Sequence, residues 1–318
     1  MNPLLLTGLD GRNPLGFLAA IGLLRVLDDD ARRRQVALPS LSFEPGTAIA
    51  RLTSDLALDT IIERVLNDAA TQADNRALQF AYTKDGDEAA PGSRDAIRDL
   101  KPPPALATKL LRDVATAPER VAGLAAAWFS ELVQDNKGST KPTGFHFTAG
   151  QQTFLGMVED LRTGITGQDV REALLGPWTN SSSLPSLTWD SSVTRLYALR
   201  AGDPSGEKRG SIPAANWLGV IALEAFPVAT IKGELVTTGI KGRWKDSVFR
   251  WPLWSPGTTF RVVCSLLRVD ASSWTVAMRE ALGITEVLGA KILRSDQGGY
   301  GSLSPAHVEL PARSRRQP

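Results

Sequence analysis

The chain has 318 residues, of which 42% are hydrophobic and 22% charged, and its formal net charge is +2. This is the composition of a globular protein, and it excludes a disordered or fibrous one. One cysteine, Cys264, excludes a disulfide framework and favours a reducing cytoplasm. No run approaches the roughly 20 apolar residues of a membrane span, and the first residues lack the pattern of a signal peptide. We therefore expect a cytoplasmic protein.

The first 34 residues predict a strand, a loop and a helix. Residues 4–7, three leucines and a threonine, read as a short buried strand. Asn13, followed by proline, is a good N-cap for the next helix. That helix is apolar nearly all round, so we expect it at the centre of the core, with Gly16 and Gly22 allowing a close neighbour. Three aspartates and three arginines in residues 28–34 are expected to end it in a solvated charged turn.

The remaining pattern mixes both kinds of secondary structure. Strands are predicted at residues 41–44, 77–82, 145–147, 194–199 and 248–251. Helices are predicted at residues 56–70, 105–116, 118–133, 151–161 and 214–225. Residues 135–143 look like a linker, and residues 288–310 like a hairpin or a glycine-rich loop. We therefore predict an α+β fold with mixed sheet elements and a helix-rich middle, in one or two lobes.

Charge is distributed unevenly along the chain. Residues 1–194 hold 19 Lys and Arg against 24 Asp and Glu, whereas residues 195–318 hold 17 against 10, which sums to the totals of 36 and 34. We predict a helix-rich α/β lobe at residues 1–186, a basic α+β lobe at residues 187–312 and a disordered basic tail at residues 313–318. The second lobe could face a polyanion, or its cations could simply be solvated surface.

The sequence offers little for catalysis. A zinc site needs about four ligands, but the chain has one cysteine and two distant histidines, His146 and His307. Neither a G-x-S-x-G nucleophile motif nor a G-x-x-x-x-G-K-[ST] phosphate loop is present. We therefore predict no catalytic residues, no metal site, no cofactor and no enzymatic activity.

Residues 141–152 form the first candidate contact with nucleic acid. They combine a cation, two aromatic residues and the start of a helix, and helix N-termini and aromatic rings can hold phosphates and bases. The candidate side chains are Lys141, His146 and Gln151. The alternative, which we favour slightly, is a short strand with Phe145 and Phe147 in the core and His146 facing outward.

Two further candidates lie in the basic part of the chain. The first is a run of three cations around a tryptophan, formed by Lys241, Arg243, Trp244 and Lys245. It suits phosphate neutralisation with stacking, but it also suits an exposed hairpin turn whose tryptophan packs on its own strand. The second is the polar loop at residues 203–210, which could become ordered on a polyanion. Its candidate cations, with one that precedes it, are Arg195, Lys208 and Arg209.

Several segments resemble one protein family. The opening GLDGRNPLGFLAAIGLLR at residues 8–25 resembles the N-termini of CRISPR-associated proteins of the Csx/Csb group, from type I-U (I-G) systems. Further similar segments follow in the same order at residues 145–152, 187–190, 197–198, 203–205, 217–227 and 249–254. Each segment is weak alone, and their shared order carries the resemblance. The chain is shorter than the large members of the group.

The resemblance implies a role in antiviral defence. It implies a non-catalytic, large-subunit-like component of a crRNA-guided, Cascade-like surveillance complex, which binds crRNA or target DNA and contacts other effector subunits and the helicase–nuclease. Sequence would then be read mostly by base pairing. Two alternatives stay open: a structural adaptor that docks other subunits without touching nucleic acid, and an unrecognised metal-dependent nuclease.

Overall fold

The computed structural model describes residues 2–148, 152–193, 210–294 and 300–310. Its helices are α1 (Pro14–Arg34), α2 (Leu58–Thr71), α3 (Pro104–Val114), α4 (Glu119–Trp128), α5 (Phe154–Gly164), α6 (Gly167–Leu175), α7 (Pro213–Ala222), α8 (Phe260–Arg268) and α9 (Val276–Ala281). Among these described residues, no helix is long and apolar enough to cross a bilayer.

The strands are β1 (Asn2–Asp10), β2 (Ser40–Phe43), β3 (Ile49–Ser54), β4 (Phe129–Gln134), β5 (Thr140–Pro142), β6 (Val228–Ile231), β7 (Glu234–Thr237), β8 (Ile240–Lys241), β9 (Val248–Trp254), β10 (Ile284–Arg294), β11 (Gly301–Leu303) and β12 (His307–Leu310). They form small antiparallel sheets: β1-β3-β2, β11-β10-β9-β8 with β12 also on β10, and the hairpins β4–β5 and β6–β7. Helices together with these sheets confirm the predicted α+β class.

Helix α1 forms the centre of the molecule. The Asn13 side chain accepts a hydrogen bond from the Leu15 N–H at 2.9 Å, so the predicted N-cap is confirmed. Every residue from Pro14 to Leu27 is buried, as expected for a helix that is apolar all round. Its main partner is α7, and Gly22 provides the close approach.

The hydrophobic core is continuous from Leu6 to Leu303 and includes buried residues on both sides of residue 186. At its centre Phe17 stacks with Phe43, with ring centroids 5.8 Å apart, and it also contacts Trp251 and Trp254. The two tryptophans are therefore core residues. The two-lobe division of the chain stays a prediction, and the tail at residues 313–318 lies outside the described residues.

The solvated turn predicted at residues 28–34 is wrong. Helix α1 continues to Arg34, and Asp28 and Asp30 are only 1% and 5% exposed. They can be buried because guanidinium groups surround them: Arg32 Nε donates to Asp28 at 2.6 Å, and Arg64 Nε lies 3.3 Å from Asp30. Burial of a carboxylate is tolerated when it is paired in this way.

Three other predicted elements are also wrong. Residues 77–82 are not a strand, because Asn75 accepts hydrogen bonds from the following backbone and starts a turn. The helix predicted at residues 118–133 ends at Trp128, and β4 follows it. Residues 135–143 are not a linker: they form the turn of the β4–β5 hairpin, with β5 as its second strand. The strand predicted at residues 194–199 lies outside the described residues.

Candidate nucleic-acid interface

The first candidate segment is split between surface and core. Lys141 is exposed on β5. Residues 145–147 do not form the predicted strand, because the His146 N–H donates to the Thr143 carbonyl in a turn. As a result Phe145, His146 and Phe147 are all buried, at 0%, 3% and 2% exposure, and the expected outward orientation of His146 is wrong. Gln151 lies outside the described residues.

His146 has a structural role in this fold. Its Nε2 lies 2.7 Å from Asp99 Oδ1 and 2.9 Å from Thr148 Oγ1. The same Asp99 oxygen accepts from the Phe154 N–H at the start of α5. Burial is the largest single effect on the pKa of Asp99 and raises it, but the hydrogen bond and electrostatic attraction to His146, together with the hydrogen bond from the Phe154 N–H, outweigh burial and hold that pKa below its ordinary value. We therefore remove His146 from the candidate interface, because a buried side chain offers no surface to a polymer.

The second candidate segment is an exposed turn between β8 and β9, which we call the cationic turn (residues 241–246). Gly242 has a φ of 85°, and a Cβ there would lie 2.3 Å from the Asp246 carbonyl oxygen, so the turn needs glycine. Arg243 has a side chain that is 81% exposed and pairs with Glu234 of β7 at 2.6 Å. Lys245 is exposed. For Trp244 the backbone forms part of a short 3₁₀ turn, and its proposed stacking stays a prediction.

The turn continues into a cleft that sequence reasoning missed. This hairpin cleft has a volume of about 220 Å³ and lies between the β6–β7 hairpin, the strands β8 and β9, and the end of α8. Its cations are Lys241, Arg250 and Arg268. Lys241 and Arg250 lie near the cationic cluster seen in the sequence. Arg268 comes from a helix that starts 19 residues after Lys241, so no local pattern could place it there.

The remaining candidate cations, Arg195, Lys208 and Arg209, lie outside the described residues and stay predictions. The opening loop is structural where it is described. Asn13 caps α1 and donates from its amide to Asp190 at 2.8 Å, while Arg12 pairs with Glu286 at 2.5 and 3.0 Å.

Within the described ranges, no group of three or more His, Cys, Asp or Glu side chains is placed to hold a metal ion. No protein-family model matches the chain, and no curated protein matches it significantly.

Proposed function

We propose that the chain is a non-catalytic, large-subunit-like component of a crRNA-guided type I CRISPR surveillance complex that acts in the cytoplasm. It binds crRNA, target DNA or both, and it contacts other effector subunits and the helicase–nuclease. The order of the segments that resemble the Csx/Csb group supports the proposed place in a type I CRISPR system. The basic second part of the chain supports contact with a polyanion.

The observation that carries the proposal is the cationic turn. It places Lys241, Arg243 and Lys245 within five residues on an exposed connection between two strands. The Arg243–Glu234 pair is a surface ion pair, and such pairs contribute about 0–1 kcal/mol. A phosphate group can therefore replace Glu234 at little cost, which makes Arg243 the main expected phosphate contact.

Substitution of Arg243 and Lys245 tests this proposal. The Arg243→Ala and Lys245→Ala double variant should bind guide RNA or target DNA more weakly. The slope of log affinity against log salt should fall by about 1–2, because up to two phosphate contacts are lost. The matched control is Lys84→Ala with Arg94→Ala, which removes an exposed lysine and an exposed arginine outside the cationic turn. Unchanged affinity and slope in the first variant would contradict the proposed interface.

The second candidate function is a structural adaptor, and the hairpin cleft favours it, since exposed apolar side chains such as Ile231 and Val269 at the cleft are typical of protein docking sites. Photocrosslinking of the purified complex to labelled RNA and DNA separates the two functions. A nucleic-acid-binding subunit should give covalent adducts that the Arg243 and Lys245 double variant loses. An adaptor should give none.

A further inference from the structure

The hairpin cleft has two aliphatic walls. One wall is the face of the β6–β7 hairpin that carries Ala229, Ile231 and Val236, and the cross-strand register places Ala229 opposite Val236. The other wall is the end of α8 with the turn after it, where Leu267 and Val269 line the cleft. Ile231 and Val269 are 53% and 46% exposed, so both walls offer apolar surface to a ligand.

Charges at the cleft favour a ligand with a single negative charge. Lys241 lies 3.3 Å from Asp270, and Arg250 Nε lies 2.8 Å from Glu309, so two of the three cations already have acidic partners. Arg268 is exposed at the end of α8, and no hydrogen bond or ion pair links it to another described residue. Three cations against two carboxylates leave a net charge of +1 at the cleft. This charge is small for the binding of a polyanion, but it is sufficient to bind one carboxylate.

The walls argue against a nucleobase as the occupant. Proteins that hold unpaired bases stack them on aromatic rings or on guanidinium planes. Of the two guanidinium groups at the cleft, that of Arg250 is already paired with Glu309, so Arg268 remains as the plane on which a base could stack. Among the described residues that line the hairpin cleft there is no aromatic side chain to cover the other face of a base, and the two walls are aliphatic. Aliphatic walls instead suit the branched apolar side chains of a peptide, which gain free energy by leaving water.

We propose that the hairpin cleft docks a short segment of a partner protein that combines apolar side chains with one acidic residue, whose carboxylate binds Arg268. The proposal rests on membership of a complex, but not on nucleic-acid contact. Charge complementarity carries the choice of occupant. It also disfavours the chain's own C-terminal residues 313–318, which contain three arginines and no acidic residue.

Two blocked peptides of sequence Gly-Leu-Asp-Leu-Gly and Gly-Leu-Asn-Leu-Gly serve as probes, with the full chain labelled at its Ile and Leu methyl groups for NMR. The Asp peptide should shift the methyl signals of Ile231 and Leu267 and bind about tenfold more tightly than the Asn peptide, as expected for one charge-assisted contact. Arg268→Met should remove most of this difference. Arg261→Met, on the same helix but outside the cleft, should keep it.

Three results would overturn the proposal. They are equal affinity for both peptides, no methyl shift up to about 10 mM peptide, and a stronger shift of the same signals by a five-nucleotide oligothymidylate, which would assign the cleft to nucleic acid. Failure here is distinct from failure of the proposed function. The peptide experiment contains no nucleic acid, and the Arg243 and Lys245 double variant leaves the cleft walls intact.

Discussion

Gly22 of α1 lies directly against the backbone of Leu218 in α7. A Cβ atom added to Gly22 would lie 1.8 Å from the Leu218 carbonyl oxygen and 3.0 Å from its Cα. Both residues are buried, so neither helix can move away without opening the core. The absence of a side chain at Gly22 therefore sets the distance between the two central helices.

Gly22→Ala should destabilise the protein. Helix propensity alone predicts that alanine raises the free energy of unfolding by about 1 kcal/mol. The collision with backbone atoms predicts a decrease of about 3 kcal/mol, which is larger, so the variant should be less stable. Gly92→Ala is the control, because a Cβ there meets nothing within 4 Å. Urea unfolding measures both variants. A stabilised Gly22→Ala protein would contradict the close contact between α1 and α7.

Arg120 should be essential for the buried charge cluster between α1, α2 and α4. Its guanidinium donates to Asp68 at 2.8 and 3.2 Å, and its Nε lies 2.7 Å from Glu224 Oε1. Arg120→Met should lower the free energy of unfolding by about 3–5 kcal/mol, because it leaves the buried carboxylate of Asp68 without its counter-charge, whereas Glu224 keeps Arg25 at 2.8 Å. Asp68→Asn in the same chain should recover part of this loss.

The exposed Arg112 of α3 provides the matched control for Arg120. Arg112→Met removes the same charge from a position where no described ion pair is formed, so its effect should stay within about 0.5 kcal/mol. Equal effects of the two substitutions on thermal unfolding would show that the Arg120 cluster does not stabilise the fold.

His146→Phe should make stability depend on pH in a defined way. In the native chain the pKa of Asp99 lies below its ordinary value of 3.8. Asp99 therefore stabilises the folded state above pH 3.8, and this stabilisation is lost as the pH falls through the lower native pKa. The variant lacks the hydrogen bond with His146, which opposes the effect of burial on the pKa of Asp99. Burial should therefore raise that pKa. The variant should be about 2–3 kcal/mol less stable at pH 7, and the difference should shrink towards pH 4.

Chemical denaturation at several pH values between 4 and 7 measures this difference. The control is His307→Phe, since the His307 side chain is 55% exposed, and its effect on stability should be small. A His146→Phe penalty that stays constant over this range would mean that Asp99 is not the group affected.

Cys264 should react slowly with alkylating agents. The thiol lies on α8, and burial is the main cause that raises its pKa to about 11. Because the thiolate is the nucleophile, alkylation by iodoacetamide at pH 8 should be about 100-fold slower than for an ordinary cysteine. The rate should rise about tenfold per pH unit from pH 7 to 9. A rate profile with its midpoint near pH 8.5, as expected for the unfolded chain in guanidinium, would contradict this assignment.

The opening of the fold was predictable because its signals are local. The cap at Asn13, the proline after it and the apolar helix lie within 15 residues, and each signal acts on its own neighbours. Residues 28–30 were predictable only in part. Asp28 and Asp30 pair with Arg32 and Arg34 of the same helix at i,i+4 spacing, which is a local pattern. Asp30 is also paired with Arg64 of α2, and this contact between distant segments is not visible in the local sequence.

The candidate interface was partly predictable for the same reason. The cationic turn was predictable because three cations lie within five residues of the sequence. An exposed hairpin turn was one of the two alternatives, and Lys241, Arg243 and Lys245 are exposed. The burial of His146 depends on Asp99, which is 47 positions earlier. The hairpin cleft depends on the β6–β7 hairpin meeting the end of α8. Both features arise from tertiary contacts between distant segments, which residue patterns do not encode.

The pairing of α1 with α7 also affects how the chain can be synthesised. Gly22 and Leu218 are 196 positions apart, so at about 5–20 residues per second the ribosome releases α1 roughly 10–40 s before its partner. During that interval a helix that is apolar on every side has no completed core to enter. We therefore expect nascent chains that stop before α7 to aggregate or to be held by chaperones.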